Sequence, residues 1–303
     1  MPMIDQVQQD TLLTNISIAW EPQGHIADQI VPPVKVKLED GQFIVYDKSA
    51  FNIPEAQRRP RTAYKEIDWT LSRDNYHAEE YGLQSRIDDR ERTNSVEPLE
   101  LDETSTEVLT ANLLNVRERR ITNLVLSTTN VTQNTTLSGT GQWSHAAGGD
   151  PIGVSVTAQN TIQAATGYLP NTMTMGFKVW QALRINPVLK AAVADGERLT
   201  KALVAELLGV ERIIVGTTLY NTAKAGQTTA LGDMWGKDAL FSYTQPRPAQ
   251  RRPSFAYRFY TQAFRVFRWR DTPVNCDVIR VNEIYAEKII ASQLGYLVKA
   301  AVA

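Results

Sequence analysis

Chemistry in this chain would have to be built from three histidines, one cysteine, a few adjacent carboxylates and one arginine-rich segment. His25, His77 and His145 lie far apart, and none has a second ligand at the spacing that lets one helix or strand hold a metal ion. No glycine-rich loop runs into Lys-Ser or Lys-Thr, so a phosphate cradle is missing. Gly139-Thr-Gly141 lacks the third glycine and the strand-to-helix setting, and reads as loop. There is no Gly-x-Ser-x-Gly elbow for a serine nucleophile. Cys276 sits among apolar strand residues, which suits an inert buried thiol better than a nucleophile. Asp88 and Asp89 could pair as acid and base. They are interleaved with Arg86, Arg90 and Arg92, so ion pairing is the better expectation. The sequence therefore predicts no catalytic residue, no metal and no cofactor.

One segment allows a binding role. Between 247 and 270, Arg247, Arg251, Arg252, Arg258, Arg265, Arg268 and Arg270 alternate with Phe255, Tyr257, Phe259, Tyr260, Phe264, Phe267 and Trp269. Aromatics among cations can stack single-stranded bases. The competing expectation is a pair of strands with aromatics inward and arginines outward or at a subunit seam. The formal net charge of −1 favours the second, because no global positive field draws nucleic acid in.

At 303 residues and 43% hydrophobic content, the chain can bury a sizeable core in one large domain or about two domains. A single cysteine rules out an internal disulfide and fits a reducing compartment. The start of the chain has no basic segment ahead of an apolar one, so it does not read as a signal peptide. No apolar run approaches the ~20 residues needed to span a membrane.

The elements follow from periodicity. Residues 1–33 are polar and irregular, as in an arm that becomes ordered on a partner surface. Val34, Val36 and Leu38 alternate with lysines. Glu39-Asp40-Gly41 reads as a turn into Phe43 and Val45, so 34–50 is expected to form a β-hairpin. Residues 51–66 carry Pro54, Arg58, Arg59, Pro60 and Arg61 and cannot build a core, which predicts a projection with a basic tip. Pro98 opens the longest expected helix, 98–128, with Glu97, Glu100, Asp102 and Glu103 at its positive end and Leu101, Val108, Leu114, Ile121 and Val125 as its apolar stripe. A serine-, threonine- and glycine-rich stretch follows, then a helix from Asp150-Pro151 to Gly167. Residues 172–175 alternate as a strand, Gly176 turns it, and Val179, Trp180 and Leu183 mark a helix that Asn186-Pro187 stops. A helix over 199–208, a strand after Glu211, a strand over 239–243 and two long β-rich segments after Phe255 complete the pattern.

Taken together, Ile30-Val-Pro-Pro-Val-Lys-Val, Met175-Gly-Phe-Lys-Val-Trp-Gln-Ala-Leu, Leu208-Gly-Val-Glu-Arg-Ile-Ile-Val-Gly and Met234-Trp-Gly-Lys-Asp-Ala-Leu resemble the corresponding segments of tailed-bacteriophage major capsid proteins, whose fold is shared with encapsulins. Their order and spacing carry the resemblance over most of the chain. It implies an α+β fold with an N-arm (1–33), an extended loop (34–72), a peripheral domain with its spine helix (73–149), an axial α/β domain (150–263) and strands returning to the peripheral sheet (264–303). It implies a structural protein, not an enzyme, that assembles in the host cytoplasm into the pentamers and hexamers of an icosahedral virion capsid around double-stranded DNA. Scaffolding protein, portal and possibly a decoration protein would be its other partners, and no membrane is involved. Some relatives carry a scaffolding segment ahead of the arm. This chain starts almost at the arm, so scaffolding is expected from a separate protein or from a segment already cleaved. Some relatives crosslink a loop lysine; Lys48 and Lys65 are available, but no acceptor is identifiable. The alternatives are an encapsulin-like shell around an enzyme cargo, and a single-strand nucleic-acid-binding module using 247–270.

Charge suggests where copies meet. Arg58, Arg59 and Arg61 have only Glu55 nearby. Asp88, Asp89, Glu91, Glu97, Glu100, Asp102 and Glu103 form an acidic stretch. The expectation is that the basic tip of one subunit lies over the acidic stretch of its neighbour and fixes their register.

Overall fold

The computed structural model describes residues 8–9, 24–46, 57–58, 71–94, 98–145, 149–193, 198–223, 226–245 and 253–303. Two five-stranded sheets organise them, joined by one long helix.

Sheet one is built on the Arg/aromatic segment. Strand β12 (Ala256–Asp271) turns through Asn275, which takes a left-handed φ of 53°, into β13 (Cys276–Ile289). Both are rich in β-branched and aromatic residues, which suit a half-buried pleated surface. β5 (Glu79–Asp88) pairs antiparallel with β13. On the other side of β12 lie β1 (Gln8–Gln9), antiparallel, and β2 (Pro33–Lys35), parallel. Across this sheet runs α3 (Pro98–Val125), a helix of 28 residues, about 42 Å long at 1.5 Å per residue. Leu109 and Leu113 pack against Ile87, Val266, Ile279 and Val281.

The apolar stripe of α3 differs from the sequence expectation in one place. Val108 is exposed, and Leu109 and Leu113 take the buried positions. A straight helix of 3.6 residues per turn drifts away from a strict seven-residue pattern over this length. Buried Thr106, Thr110 and Thr122 share the remaining inward positions with Asp102, Arg117 and Glu118. Each hydroxyl donates to the carbonyl four residues earlier, so no polar group is stranded.

The expected hairpin over 34–50 does not form. Residues 33–35 pair with β12, while β3 (Asp40–Tyr46) pairs with β4 (Leu71–His77), from Asp40 opposite His77 to Tyr46 opposite Leu71. Local alternation marked both strands but could not choose their partners, and the apolar residues of 34–36 are buried better against the sheet. The two strands nevertheless form a two-stranded ribbon. The expected boundary at 72 falls inside β4, and the tip lies outside the described residues apart from exposed Gln57 and Arg58.

Sheet two runs β6 (Asn134–Thr136), β14 (Gly295–Lys299), β11 (Ala239–Ser242), β7 (Thr172–Gly176), β8 (Arg212–Gly216). The expected division at 263/264 is not where the sheets part. β12 crosses it, and after β13 the chain leaves sheet one for β14, which lies between β6 and β11 in sheet two. A short run after the β13 turn has no side-chain signal that would assign it to either sheet. Helix α4 (Pro151–Thr166) begins at Asp150, whose carboxylate accepts from Gly153 N, and ends at Gly167 with φ 74°. β7 passes into α5 (Phe177–Ile185), which buries Val179, Trp180 and Leu183. Asn186 ends it and starts α6 (Pro187–Ala191). Its side-chain oxygen accepts from Val188 N and Leu189 N, and its amide donates to the carbonyls of Trp143 and Gly149. Helix α7 (Lys201–Leu207) is capped by Thr200, and β9 (Leu219–Asn221) pairs antiparallel with β10 (Leu231–Asp233) in a separate two-stranded sheet. Among the described residues, no helix is long and apolar enough to cross a membrane.

Candidate functional site: an assembly interface and its anchor

The residues that join the parts are buried charges. α1 (Ala27–Ile30) ends the N-terminal segment and lies on α3. Asp28 contacts Arg117 of α3 at 3.0 Å and Arg258 of β12 at 3.2 Å. Glu283 of β13 contacts Arg117 at 3.0 Å and also pairs with Arg258. Two acids and two arginines therefore close a ring over four elements, and all but Asp28 are nearly inaccessible. The adjacent Glu118, 1% exposed, accepts from Ile26 N, Ala27 N and the Trp235 indole nitrogen, the last at 2.6 Å. It thus caps α1 and ties it to the loop ahead of β11. Sequence reading missed this anchor, although Glu118 lies four residues after Leu114 and three before Ile121. A carboxylate inside an apolar stripe was the available signal.

The acidic stretch expected to meet a neighbour is largely engaged within its own subunit. Asp102 is buried and holds Arg92 at 2.7 Å and Arg268 at 3.2 Å. Asp89 binds Arg270 through both oxygens at 2.5 Å, which holds its pKa below the usual carboxylate range. Asp88 and Glu91 cap α2 (Asp89–Asn94): Asp88 accepts from Arg90 N, and Glu91 accepts from Asp88 N. Asp277 adds contacts to Arg92, Arg268 and Arg270 at 3.2–3.5 Å. Glu103 is half-buried. Glu97 and the side chain of Glu100 lie outside the described residues, as do Arg59 and Arg61. Asp102 and Asp89 thus have partners within the subunit, and Asp89 stays half exposed. The arginines that claim them, Arg92, Arg268 and Arg270, come from other segments of the same chain.

The same pairing removes the stacking platform. Phe255, Tyr257 and Phe259 are buried, Phe259 stacks on Phe43 and Tyr76, and Arg258, Arg268 and Arg270 are ion-paired. Arg280 covers the rings of Phe267 and Trp269. Arg247, Arg251 and Arg252 lie outside the described residues. Cys276 is buried, and burial, then the Asp88 carboxylate, push its thiol pKa up. His25 bonds Asn115, and His77 bonds Asp40 at the foot of the ribbon. Among the described residues no group of histidine, cysteine and carboxylates is arranged to hold a metal ion.

Where the ribbon leaves the body, the surface is acidic. Glu39, Asp40, Asp74, Glu79 and Glu80 are all exposed, with Lys37 in the connection ahead of β3 and Arg73 on β4 as cations of the same stretch. His77 stands among Asp40, Glu79 and Glu39. Its pKa is raised, first by the hydrogen bond to Asp40 and then by these charges. Tyr81 donates to Glu79 at 2.5 Å, and Asn282 donates to Glu80.

No family model matches the chain. It is 27% identical over 301 residues to the major capsid protein of Burkholderia phage BcepMu, covering 95% of each chain. It is 28% identical over 312 residues to the major capsid protein of Pseudomonas phage JBD67, covering 97% of each. Among solved structures, a phage-related protein from Bordetella bronchiseptica RB50 superimposes with a TM-score of 0.77 at 22% identity, covering 97% of both chains. The mature capsid of bacteriophage PhiM1 does so with a TM-score of 0.55 at 9% identity, over 93% of this chain and 88% of that one.

Proposed function

We infer that this chain is a bacteriophage major capsid protein, the structural subunit from which the shell of the phage head is built. The observation that carries the reading is similarity along nearly the whole length to two curated major capsid proteins, on a fold that solved capsid structures share. The work of such a protein is association, not catalysis. The exposed residues of the β3–β4 ribbon offer surface that one subunit does not bury alone, and contacts with copies stabilise the folded form. Many weak contacts, repeated by symmetry, close a shell.

In the finer reading, copies form pentamers and hexamers of an icosahedral head that assembles in the host cytoplasm and encloses double-stranded DNA without reading its sequence. The near-zero net charge supports this, since a strongly basic wall would grip DNA too tightly to release it. A separate scaffolding protein, a portal and possibly a decoration protein complete the partners. The segments 1–33, 34–72, 73–149, 150–263 and 264–303 keep their roles as arm, extended loop, peripheral domain, axial domain and return, with β14 as the part of the return that completes sheet two. An encapsulin-like shell shares the fold but is disfavoured, since both curated relatives are phage capsid proteins. Negative-stain microscopy of purified protein tests the reading: closed shells are expected. A monodisperse monomer under all conditions, with salt-steep affinity for single-stranded nucleic acid, would overturn it.

A further inference from the structure

The geometry points to a docking site on the face of sheet one turned away from α3, around Arg280, for an acidic segment of a protein other than this chain. The inference adds a partner surface to the shell reading, and its test does not require a shell.

Strand register defines the site. Arg86, Val278 and Trp269 lie side by side across β5, β13 and β12. Gln84, Arg280 and Phe267 form the next row, and Gly82, Asn282 and Arg265 the third. Alternation along each strand puts these residues on one face, opposite the one on which Ile87, Ile279, Val281 and Val266 meet α3. Arg86 and Arg265 are therefore diagonal neighbours of Arg280, about 7–8 Å away across the strands. No carboxylate stands in these rows. Asp88 and Asp271 lie in the row beyond Arg86, and Glu80 in the row beyond Gly82.

The three cations are short of partners. Among the described residues, the guanidinium of exposed Arg265 has no ion pair or hydrogen bond. Arg280 lies over the Phe267 and Trp269 rings at 5.0 and 5.4 Å, pairs with no described carboxylate, and keeps a buried Nε without a hydrogen-bond partner. Arg86, 54% exposed, has only Asp271, at 3.9 Å. Of the flanking acids, Asp88 accepts from Arg90 N and Glu80 from the Asn282 amide. Gly82 leaves the sheet bare between them, since the nearest atoms to a side chain placed there belong to β13 itself.

The chemistry selects the occupant. A guanidinium stacked on rings is held flat and presents its fork to a carboxylate. Nucleic acid fits less well. Arg280 already covers the rings on which bases would stack, and three cations are few for a phosphate backbone. This chain's own Asp88, Asp89, Glu91 and Asp102 are engaged inside the subunit, so a different protein is the better source of carboxylates.

The test is fluorescence anisotropy of the full-length protein with a short labelled peptide of alternating glutamate and valine. Arg265→Gln with Arg280→Gln is expected to weaken binding about tenfold, and Arg265→Gln alone about threefold. Arg184→Gln, at an exposed site on α5, should leave it unchanged. Thermal unfolding establishes that each variant is folded. A photo-crosslinker in the peptide should mark β5, β12 and β13 around Arg86, Arg265 and Arg280. Undiminished binding by the folded double variant, or by Arg265→Gln if the double variant does not fold, overturns the proposal. A single-stranded oligonucleotide held more tightly than the peptide through the same arginines overturns it in favour of nucleic acid. Smaller oligomers of the Arg265→Gln protein in the absence of peptide overturn it in favour of a contact between copies. Failure of the wild-type protein to form shells would sink the shell reading and leave this face untouched.

Discussion

At the junction, Arg117, Arg258 and Glu283 are almost fully removed from water and lie in contact distance of each other and of Asp28. At the ribbon root, Glu39, Asp74, Glu79 and Glu80 stand in water with few cations among them. The residue types are alike and the consequences differ. A buried pair is costly to desolvate and ruinous to break, so it fixes how the N-terminal segment, α3 and sheet one sit together. Exposed carboxylates contribute little to one subunit and are free to choose a partner. Charge satisfied inside the subunit specifies the fold, and charge left outside adds little to it.

The junction side of this contrast breaks most readily at Glu283. Glu283→Ala leaves two buried guanidiniums without their shared carboxylate and should cost about 3–5 kcal/mol in urea unfolding of the unassembled subunit. A loss under about 1 kcal/mol would place the ring on the same footing as surface pairs. Next comes Trp235→Phe, which keeps an aromatic ring, removes the indole donor to Glu118 and leaves a small void. A loss of about 1–3 kcal/mol is expected, with faster proteolysis within 24–31 as α1 loosens. Cys276→Ser should fold and assemble with a modest packing cost, and the native thiol should label slowly in the folded subunit.

The smallest effects belong to exposed pairs and differ in sign with pH. Asp89 has a lowered pKa. Its contribution is present above the ordinary carboxylate value and fades as pH falls through the depressed one, so Asp89→Asn should flatten the acid limb of the stability curve. His77 has a raised pKa. Its pairing with Asp40 is present at low pH and is lost as pH rises through the raised value, and His77→Ala should remove that decline. Denaturation midpoints read across pH check both.

Much of this arrangement was legible in the residues. Asp150-Pro151 and Gly167 bounded α4, Gly176 and Asn186 bounded α5, and Pro98 opened α3 within a few residues of its expected span. Each is a local signal acting through a cap, a turn or a fixed φ. Strand partnership is not local. Residues 34–36 alternate equally well for a hairpin or for β12, and only burial against sheet one decides. The partners of the acidic residues depend on the fold in the same way. Asp102 looks like a helix-start acid in sequence, and only the fold brings Arg268 to it from 166 residues away.

The position of β14 has a consequence for how the subunit is made. β14 stands between β6 and β11, inside sheet two and not at its margin. A ribosome must therefore deliver residue 299 before that sheet can be complete. Chains released short of residue 295 would show bare edges on both sides of the gap. Such edges invite indiscriminate strand pairing, so a stalled message yields aggregates before it yields faulty shells. Delivery of β14 is thus a precondition for a closed sheet two.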